Sequence, residues 1–586
     1  MELTVECEKL LNLFKNLSIY FTNIDFISSK MNKSISFFAI KNINLSFISI
    51  ALLITTYSCD TNKIEKENRS VFNYNEMAGI TSLDPASANN TEDIWAVNQL
   101  FNGLVQLDDS LKVIPCIAKS WLISDNGLTY TFQLRDDVFF HDNTCFNKHK
   151  GRKVTAKDFV ISFNRLYDAK VSSAVSLLTN IDRSEKTNYK GFLAINDSTF
   201  KIYLKEPFSA FLSVLSMKYF SVIPQEAIHY YGQELRRNPV GTGPFTFKFW
   251  DEGTKLIFLK NEHYFEFDGK NRLPYLDAVS ISFIKDRETA FMEFLNEKYD
   301  MLSGADAFNI NEVLDKNGNL KSFYSKKLTL QKQNFLKTDY FGILVDENID
   351  IVKKSPLKIK ALRKAINYGF DRVKMVKFFR NNIGYPATSG FIPKGMPSFN
   401  ENIVKGYTYN PEMVRKLLIE AGFPEGKNLP QITLHTTDNY LEQTEYIQSQ
   451  LADNHIKVNI SVDKPVVLRQ AVAACEYIFF KKSWVSDYAD EENFMSLFYS
   501  KNFAPIGSNY THYKNPEFDL LFEKAIKEQD VDLKNKLYQQ MDQLLIDDAP
   551  IVPLYYDQVI RLVHKNIKGL NTNALNLLNL KLVRKQ

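Results

Sequence analysis

A chain of 586 residues with 45% apolar and 24% charged side chains has ordinary globular composition and enough polypeptide for more than one lobe. Its 72 basic and 68 acidic residues are spread along the whole length and leave a formal charge of +4, so no concentrated basic field exists to hold a phosphate backbone, and nucleic acid is not an expected partner. Five cysteines, Cys7, Cys59, Cys116, Cys145 and Cys475, are too few and too scattered for a disulfide framework.

Residues 1–30 carry no export character and read as an over-extended start upstream of Met31. Residues 31–58 place Lys33 and Lys41 ahead of the apolar run LSFISIALLITTY, with small Ser58 just before Cys59. That order of charge, apolar run and small residue is an export signal, and the run is too short to cross a bilayer comfortably. The segment resembles a bacterial lipoprotein signal, in which the cysteine becomes the lipidated first residue. Thr56 and Tyr57 depart from the commonest form, which has an aliphatic residue and then a small one. Residues 59–70, CDTNKIEKENRS, have the composition of a solvated tether. A single acyl chain attaches only marginally, so stable residence calls for multiple acylation. The expected place is the periplasmic or cell-surface side of a bacterial membrane.

Beyond the tether, VFNYNEMAGITSLDPASANN predicts a strand and a Pro-marked turn, and TEDIWAVNQLFNGL a helix capped by Thr91 and ended by Gly103. LTYTFQLRDDVFF alternates as a half-buried strand does, VTAKDFVISFNRLYDA has helical spacing with Thr155 at its cap, and STFKIYLKEPF is again a strand. PQEAIHYYGQEL opens a helix at Pro224. In NPVGTGPF, Gly241 and Gly243 suit backbone conformations closed to other residues, which predicts a structural turn. The second half alternates helical segments (PLKIKALRKAINYGFDRVKMVKFF, NPEMVRKLLIEAGF, NPEFDLLFEKAIKEQDVDLKNKLYQQMDQLLIDDA) with the short strands PQITLHTT and IKVNISVD. It closes on the strand VPLYYDQVIRLVH. This interleaving predicts mixed α/β lobes, and the lack of repeats or long low-complexity linkers predicts lobes joined by crossing strands.

Catalytic signatures are missing: there is no HExxH, GxSxG or CxxC, and GFPEGKN fails as a phosphate loop. No catalytic residue, cofactor or metal is therefore expected, and a secreted hydrolase using scattered carboxylates is a remote alternative. His141, Cys145 and His149 in TCFNKHKGRK and its flank have the spacing of a helical metal face, but Gly151 and the dense lysines favour a solvated loop.

Taken together, SLDPA, LFNGLVQLDDSLKVIPCIAKSWLISDNGLTYTFQLRDDVFFHD, VTAKDFVISFNRL, NPVGTGPF, NEKYDML, LRKAINYGFDR, YNPEMVRKLLIEAGFP, WVSDYAD, YKNPEFDLL and APIVPLYY carry a resemblance in their number, order and spacing. From about Leu83 nearly to the C-terminus the chain resembles the extracytoplasmic oligopeptide, dipeptide and nickel-type solute-binding proteins of ABC importers. The resemblance implies the two-lobed α/β periplasmic-binding-protein fold, with a two-strand hinge and an extra inserted subdomain. Carried onto this chain, it assigns 71–103, 221–338 and 546–586 to the first lobe, 104–220 to its inserted subdomain and 339–545 to the second lobe.

It also implies a peptide or peptide-like ligand, an ABC permease as partner, attachment to the membrane through the lipid on Cys59, and a monomer. In peptide-binding members the aspartate of the W-x-x-D-Y pattern pairs with the ligand's α-ammonium, and Asp487 occupies that position. Trp484 is expected as a cleft wall, Lys481 as a partner for a ligand carboxylate, and Tyr440, Asn89, Asn90 and Thr91 as further contacts. A nickel chelate, haem or a glycan on the same fold is the alternative cargo.

Overall fold

The computed structural model describes residues 69–172, 174–184, 191–304 and 308–586. The chain divides into two units, Met1–Asn68 and Arg69–Gln586. The expectations placed on residues 1–68, including the upstream extension, the export signal and Cys59, lie outside the described residues.

The centre of the second unit is a large mixed sheet. In chain order its principal strands are β1 (Val71–Asn75), β2 (Phe245–Asp251), β3 (Lys255–Lys260), β4 (Ala278–Ser282), β5 (Met301–Ser303), β6 (Leu328–Ile343), β7 (Ile432–Thr436), β8 (Val458–Val462), β9 (Phe479–Val485) and β10 (Ile551–His564). They lie side by side in the order β8, β7, β9, β6, β10, β5, β1, β4, β3, β2, with the short strand Tyr385–Pro386 also on β10. The outer strands of each lobe include parallel pairs, β7 with β8 and β1 with β4, as interleaved helices require. The middle pair, β6 and β10, is antiparallel, with further strands of the sheet on either side of it. β10 is buried at all but one of its 14 positions, which is why its sequence runs apolar rather than alternating.

The inserted subdomain has a separate four-stranded antiparallel sheet, with Ala118–Ile123, Thr129–Leu134, Thr199–Tyr203 and Phe192–Asn196 in that spatial order. A helix over Ala156–Arg165 covers it, and Thr155 and Asp158 cap that helix reciprocally as the sequence predicts. From this helix, Phe159 packs at a tilt on Phe200 of the sheet, and Phe163 meets Phe192 and Phe200 edge to face.

Several local expectations need correction. Helix α1 (Thr91–Leu100) is capped by Asn90, whose side chain accepts from the Asp93 backbone, and it ends at Phe101 rather than Gly103. Asparagine caps at least as well as threonine, and its side-chain NH2 also reaches the Asp93 carboxylate at 3.1 Å. The long helical run after Pro356 breaks into Lys360–Tyr368 and Arg372–Arg380, because Asp371 starts a new helix by capping it. Likewise Asp530 divides the last run into Pro516–Ala525 and Val531–Asp548. The predicted end at Gly422, by contrast, is a left-handed glycine at φ +86° following the helix Pro411–Glu420.

The loop over 141–153 forms only a single 3-10 turn, Asn147–His149, so intervals of four do not align its His and Cys residues on a helix face. His141 is buried, with Nε2 at 3.0 Å from the Gly243 carbonyl, and its backbone N–H donates to Gly241. Gly241 and Gly243 are needed for space and not for unusual dihedrals. A Cβ on Gly241 would lie 2.0 Å from the Leu100 carbonyl oxygen, and one on Gly243 would lie 2.4 Å from the Leu100 carbonyl carbon. The turn therefore packs backbone to backbone on the end of α1, the helix whose other end faces the cleft.

Gly243→Ala should consequently lower stability by about 2–4 kcal/mol, since the methyl group meets rigid backbone that can yield only by moving α1. Chemical denaturation of the two proteins measures this, and an unchanged midpoint would contradict the close-packing account.

Candidate functional site

The pairing of β6 with β10 is interrupted halfway along. Leu328–Asn334 pairs with Gln558–His564 of β10, and Thr338–Gly342 pairs with Ile551–Tyr556, with the register broken between Asn334 and Thr338. At this break the backbone of Leu336 is released from β10 and used elsewhere. Its N–H donates to Ala574 (2.8 Å), and its carbonyl accepts from the N–H of Ser486 (2.8 Å). One residue thus anchors two segments, and both line a cavity of about 620 Å³ between the lobes. The cavity walls come from the end of β1 (Asn75–Met77), the start of α1 (Asn89–Glu92), Ser216–Tyr219, Met301–Gly304, Phe335 and Lys337 of β6, Val485–Asp487 and Leu575–Leu577.

Asn493 fixes the second-lobe wall. Its Oδ1 accepts from the Trp484 indole (2.9 Å) and the Asp487 backbone (3.2 Å), so the chain turns outward at Asp487. The Asp487 carboxyl is open to cleft water, yet it sits deep enough that burial raises its pKa against the opposing hydrogen bond from Asn493. It makes no ion pair among the described residues. Exposure inside the cleft is what allows it to reach a solute, and burial is what leaves its charge poorly compensated.

The other sequence-predicted residues fall into two groups. Asn89, Asn90 and Thr91 line the cavity together with Asp487. Trp484 packs instead against the second-lobe core beside Leu336, Tyr340 and Phe391. Lys481 is buried, 2.6 Å from Asp339 and 3.8 Å above the ring of Tyr440, and neither Lys481 nor Tyr440 is among the lining residues. Asp339 is shared with Lys337 at 3.1 Å, Lys337 also reaches Asp557 at 2.8 Å, and Arg380 pairs with Asp557. Burial opposes ionisation of Asp339, but Lys337 and Lys481 override it and hold the group below the usual carboxylate range. The ammonium of Lys481 is therefore committed to this network.

Lining residues that the sequence reading did not single out include Glu76, Glu92, Lys218 and Lys337. Burial, reinforced by Glu92 and then Asp93, pushes Glu76 up to about 8. The first-lobe wall is held by Trp95, whose indole donates to the Asn576 carbonyl at 2.7 Å, and by buried Arg561, which donates to the carbonyls of Asn571, Asn576 and Leu577. No local sequence pattern marks these residues, since Trp95 reaches Asn576 across 481 positions and Arg561 reaches carbonyls 10 to 16 positions further on.

Comparison with known proteins bears on the fold and the family. The model of bacterial extracellular solute-binding proteins, family 5 Middle, matches residues 112–505. The glutathione-binding protein GsiB of Shigella flexneri serotype 5b is 27% identical over 502 residues, 84% of this chain and 90% of that protein. The structure of HbpA2 from Haemophilus parasuis superposes with a TM-score of 0.75 at 24% identity, covering 88% of this chain and all (100%) of that one. The periplasmic binding protein DppA from Helicobacter pylori, in complex with the peptide STSA, gives 0.70 at 26% identity, covering 89% and 100%. The expected two-lobed fold is thus borne out. On a match that spans well over half its length, this chain belongs to family 5 of the bacterial extracellular solute-binding proteins, which deliver captured solutes to ABC transporters.

Proposed function

We propose that this protein is a lipid-anchored, monomeric peptide receptor that binds its cargo in the interlobe cleft, closes over it and presents it to an ABC permease. The observation that carries the peptide reading is Asp487, a cleft-lining carboxyl with no cationic partner among the described residues and a pKa raised by burial. A cargo α-ammonium would supply the missing countercharge, and lobe closure would strengthen the pair by excluding water. The glutathione-binding relatives and the peptide-bound Helicobacter pylori structure support the same cargo class.

The hinge assignment rests on β6 and β10, where the broken register at 334–338 gives a place to bend without melting either lobe's sheet. We read residues 339–545 as the lobe that moves against the remainder. A cargo favours the closed state only through contacts better made there, and a solute spanning Asp487 and the Asn89–Thr91 segment touches both sides. Lipidation of Cys59 would hold this body near the permease, with residues 60–70 as tether. The family relatives are binding proteins rather than enzymes, and the cleft is read as a site of capture without turnover.

Isothermal titration with glutathione and with Ser-Thr-Ser-Ala, each with a free and an acetylated N-terminus, tests the cargo. Acetylation of the bound peptide should weaken binding by roughly 30-fold or more, and Asp487→Asn should produce a similar loss and abolish the distinction. Equal affinity for both forms would remove the ammonium pairing, and binding of none of the peptides would remove the peptide reading. Cys59→Ser should move the protein from the membrane fraction to the soluble fraction of the host, and continued membrane association of that variant would refute the anchor.

A further inference from the structure

A small recess opens off the cleft beside the inserted subdomain. It has a volume of about 40 Å³, and Leu107, Ser216, Lys218 and Leu577 line both it and the cleft. That is room for little more than one water or one small polar group.

The other polar groups of the recess are satisfied from within. Lys581 donates to Glu266 at 2.5 Å and to Gln106 at 2.9 Å, and Gln106 donates back to Glu266 at 2.6 Å. The side chains of Asn98 and Asn102 donate to the Leu578 carbonyl and to the Tyr264 hydroxyl. The Cys116 thiol, pushed up to about 12 by burial, is neutral and supplies no countercharge. Asp109 accepts from Asn571, and Asp108 holds its own turn by accepting from the N–H groups of Ser110 and Lys112.

Lys218 is the exception. It belongs to the 3-10 turn Lys218–Phe220, is half-buried, and makes neither a hydrogen bond nor an ion pair through its ammonium among the described residues. Burial is the main reason its pKa falls to about 8, and the carboxylate that acts on it, Glu266, is already held by Lys581. A desolvated ammonium without a protein countercharge is costly unless something else supplies the anion.

We propose that Lys218 is the anion-recognising residue of the cleft and receives a carboxylate of the cargo at the mouth of this recess. The inference rests on the peptide reading and deepens it: the cleft takes a zwitterion, with the ammonium end on Asp487 and an acidic group on Lys218. It also gives the carboxylate role that the sequence suggests for Lys481 to a residue on the opposite lobe, so that the two charged ends of the cargo bridge the lobes.

The acidic group could be the C-terminal carboxylate or an acidic side chain, and amidated peptides separate the two. Titrations would compare Ser-Thr-Ser-Ala, its C-terminal amide, and the amide of Ser-Thr-Asp-Ala on the wild-type protein and on Lys218→Met. Amidation should weaken wild-type binding by roughly 10- to 100-fold, the loss expected for a charge-assisted hydrogen bond. Lys218→Met should weaken the free acid by the same factor and leave the amide unchanged, and Lys218→Arg should restore part of the difference. Recovery of affinity by the Asp-containing amide, lost again in Lys218→Met, would assign the contact to a side-chain carboxylate, still on Lys218.

If wild-type protein binds acid and amide equally, or if Lys218→Met weakens both alike, the role of Lys218 falls while the peptide reading stands. If no peptide binds, both fall together. Without ligand, Lys218→Met should melt at or above the wild-type temperature, because it removes an unpaired desolvated charge. A lower melting temperature would show that the ammonium has a structural partner and overturn the proposal.

Discussion

Two strands cross between the lobes, and the break in the pairing between them governs the rest of the molecule. An uninterrupted ladder from Leu328 to Ile343 would hold every backbone group of β6 in the sheet and leave none of them to anchor the cleft walls. Because the register fails between Asn334 and Thr338, the N–H and C=O of Leu336 serve Ala574 and Ser486 instead. A buried backbone group must find a partner, so these two bonds are not optional. They place the segments carrying Leu575–Leu577 and Asp487 beside the point where the lobes can bend. The site and the hinge therefore share one structural origin.

Charge is distributed around this point with a definite logic. Lys337, Lys481 and Arg380 are bound up with Asp339 and Asp557 on and beside the crossing strands, in a buried network of ion pairs. Such a network costs desolvation and adds little net stability over an apolar core, but removing one member strands the others. Its effect here is to keep three cations near the cleft from acting as free ligands. Asp487 on one lobe and Lys218 on the other stay outside this network and line the cleft, both with pKa values displaced by burial.

Much of the architecture was legible because local chemistry and global packing agree. Thr155 followed by Asp158 is a capping box in the sequence and in the structure. The alternation of VFNYN matches a strand with Phe72 and Tyr74 buried. The failures came where two local signals compete. Asn90 and Thr91 are both good caps, and the choice went to the side chain that could also bond Asp93. Asp371 and Asp530 break runs that apolar periodicity alone would carry through. The glycines of NPVGTGPF suggest unusual dihedrals, whereas their necessity comes from contact with Leu100, far earlier in the chain.

By itself the sequence determined the alternation of helices and strands, the mixed α/β class, the absence of enzyme signatures and the conspicuous Trp484-to-Tyr488 pattern, since each depends on residues within a few positions of one another. Which ammonium is free was decided only by the tertiary structure. Lys481 lies six positions before Asp487, while Lys218 lies far away in the inserted subdomain, and proximity in the chain favours the former. Folding reverses the choice, because an ion pair depends on separation in space and Asp339, from another strand, lies 2.6 Å from Lys481, whereas Lys218 makes no ion pair among the described residues.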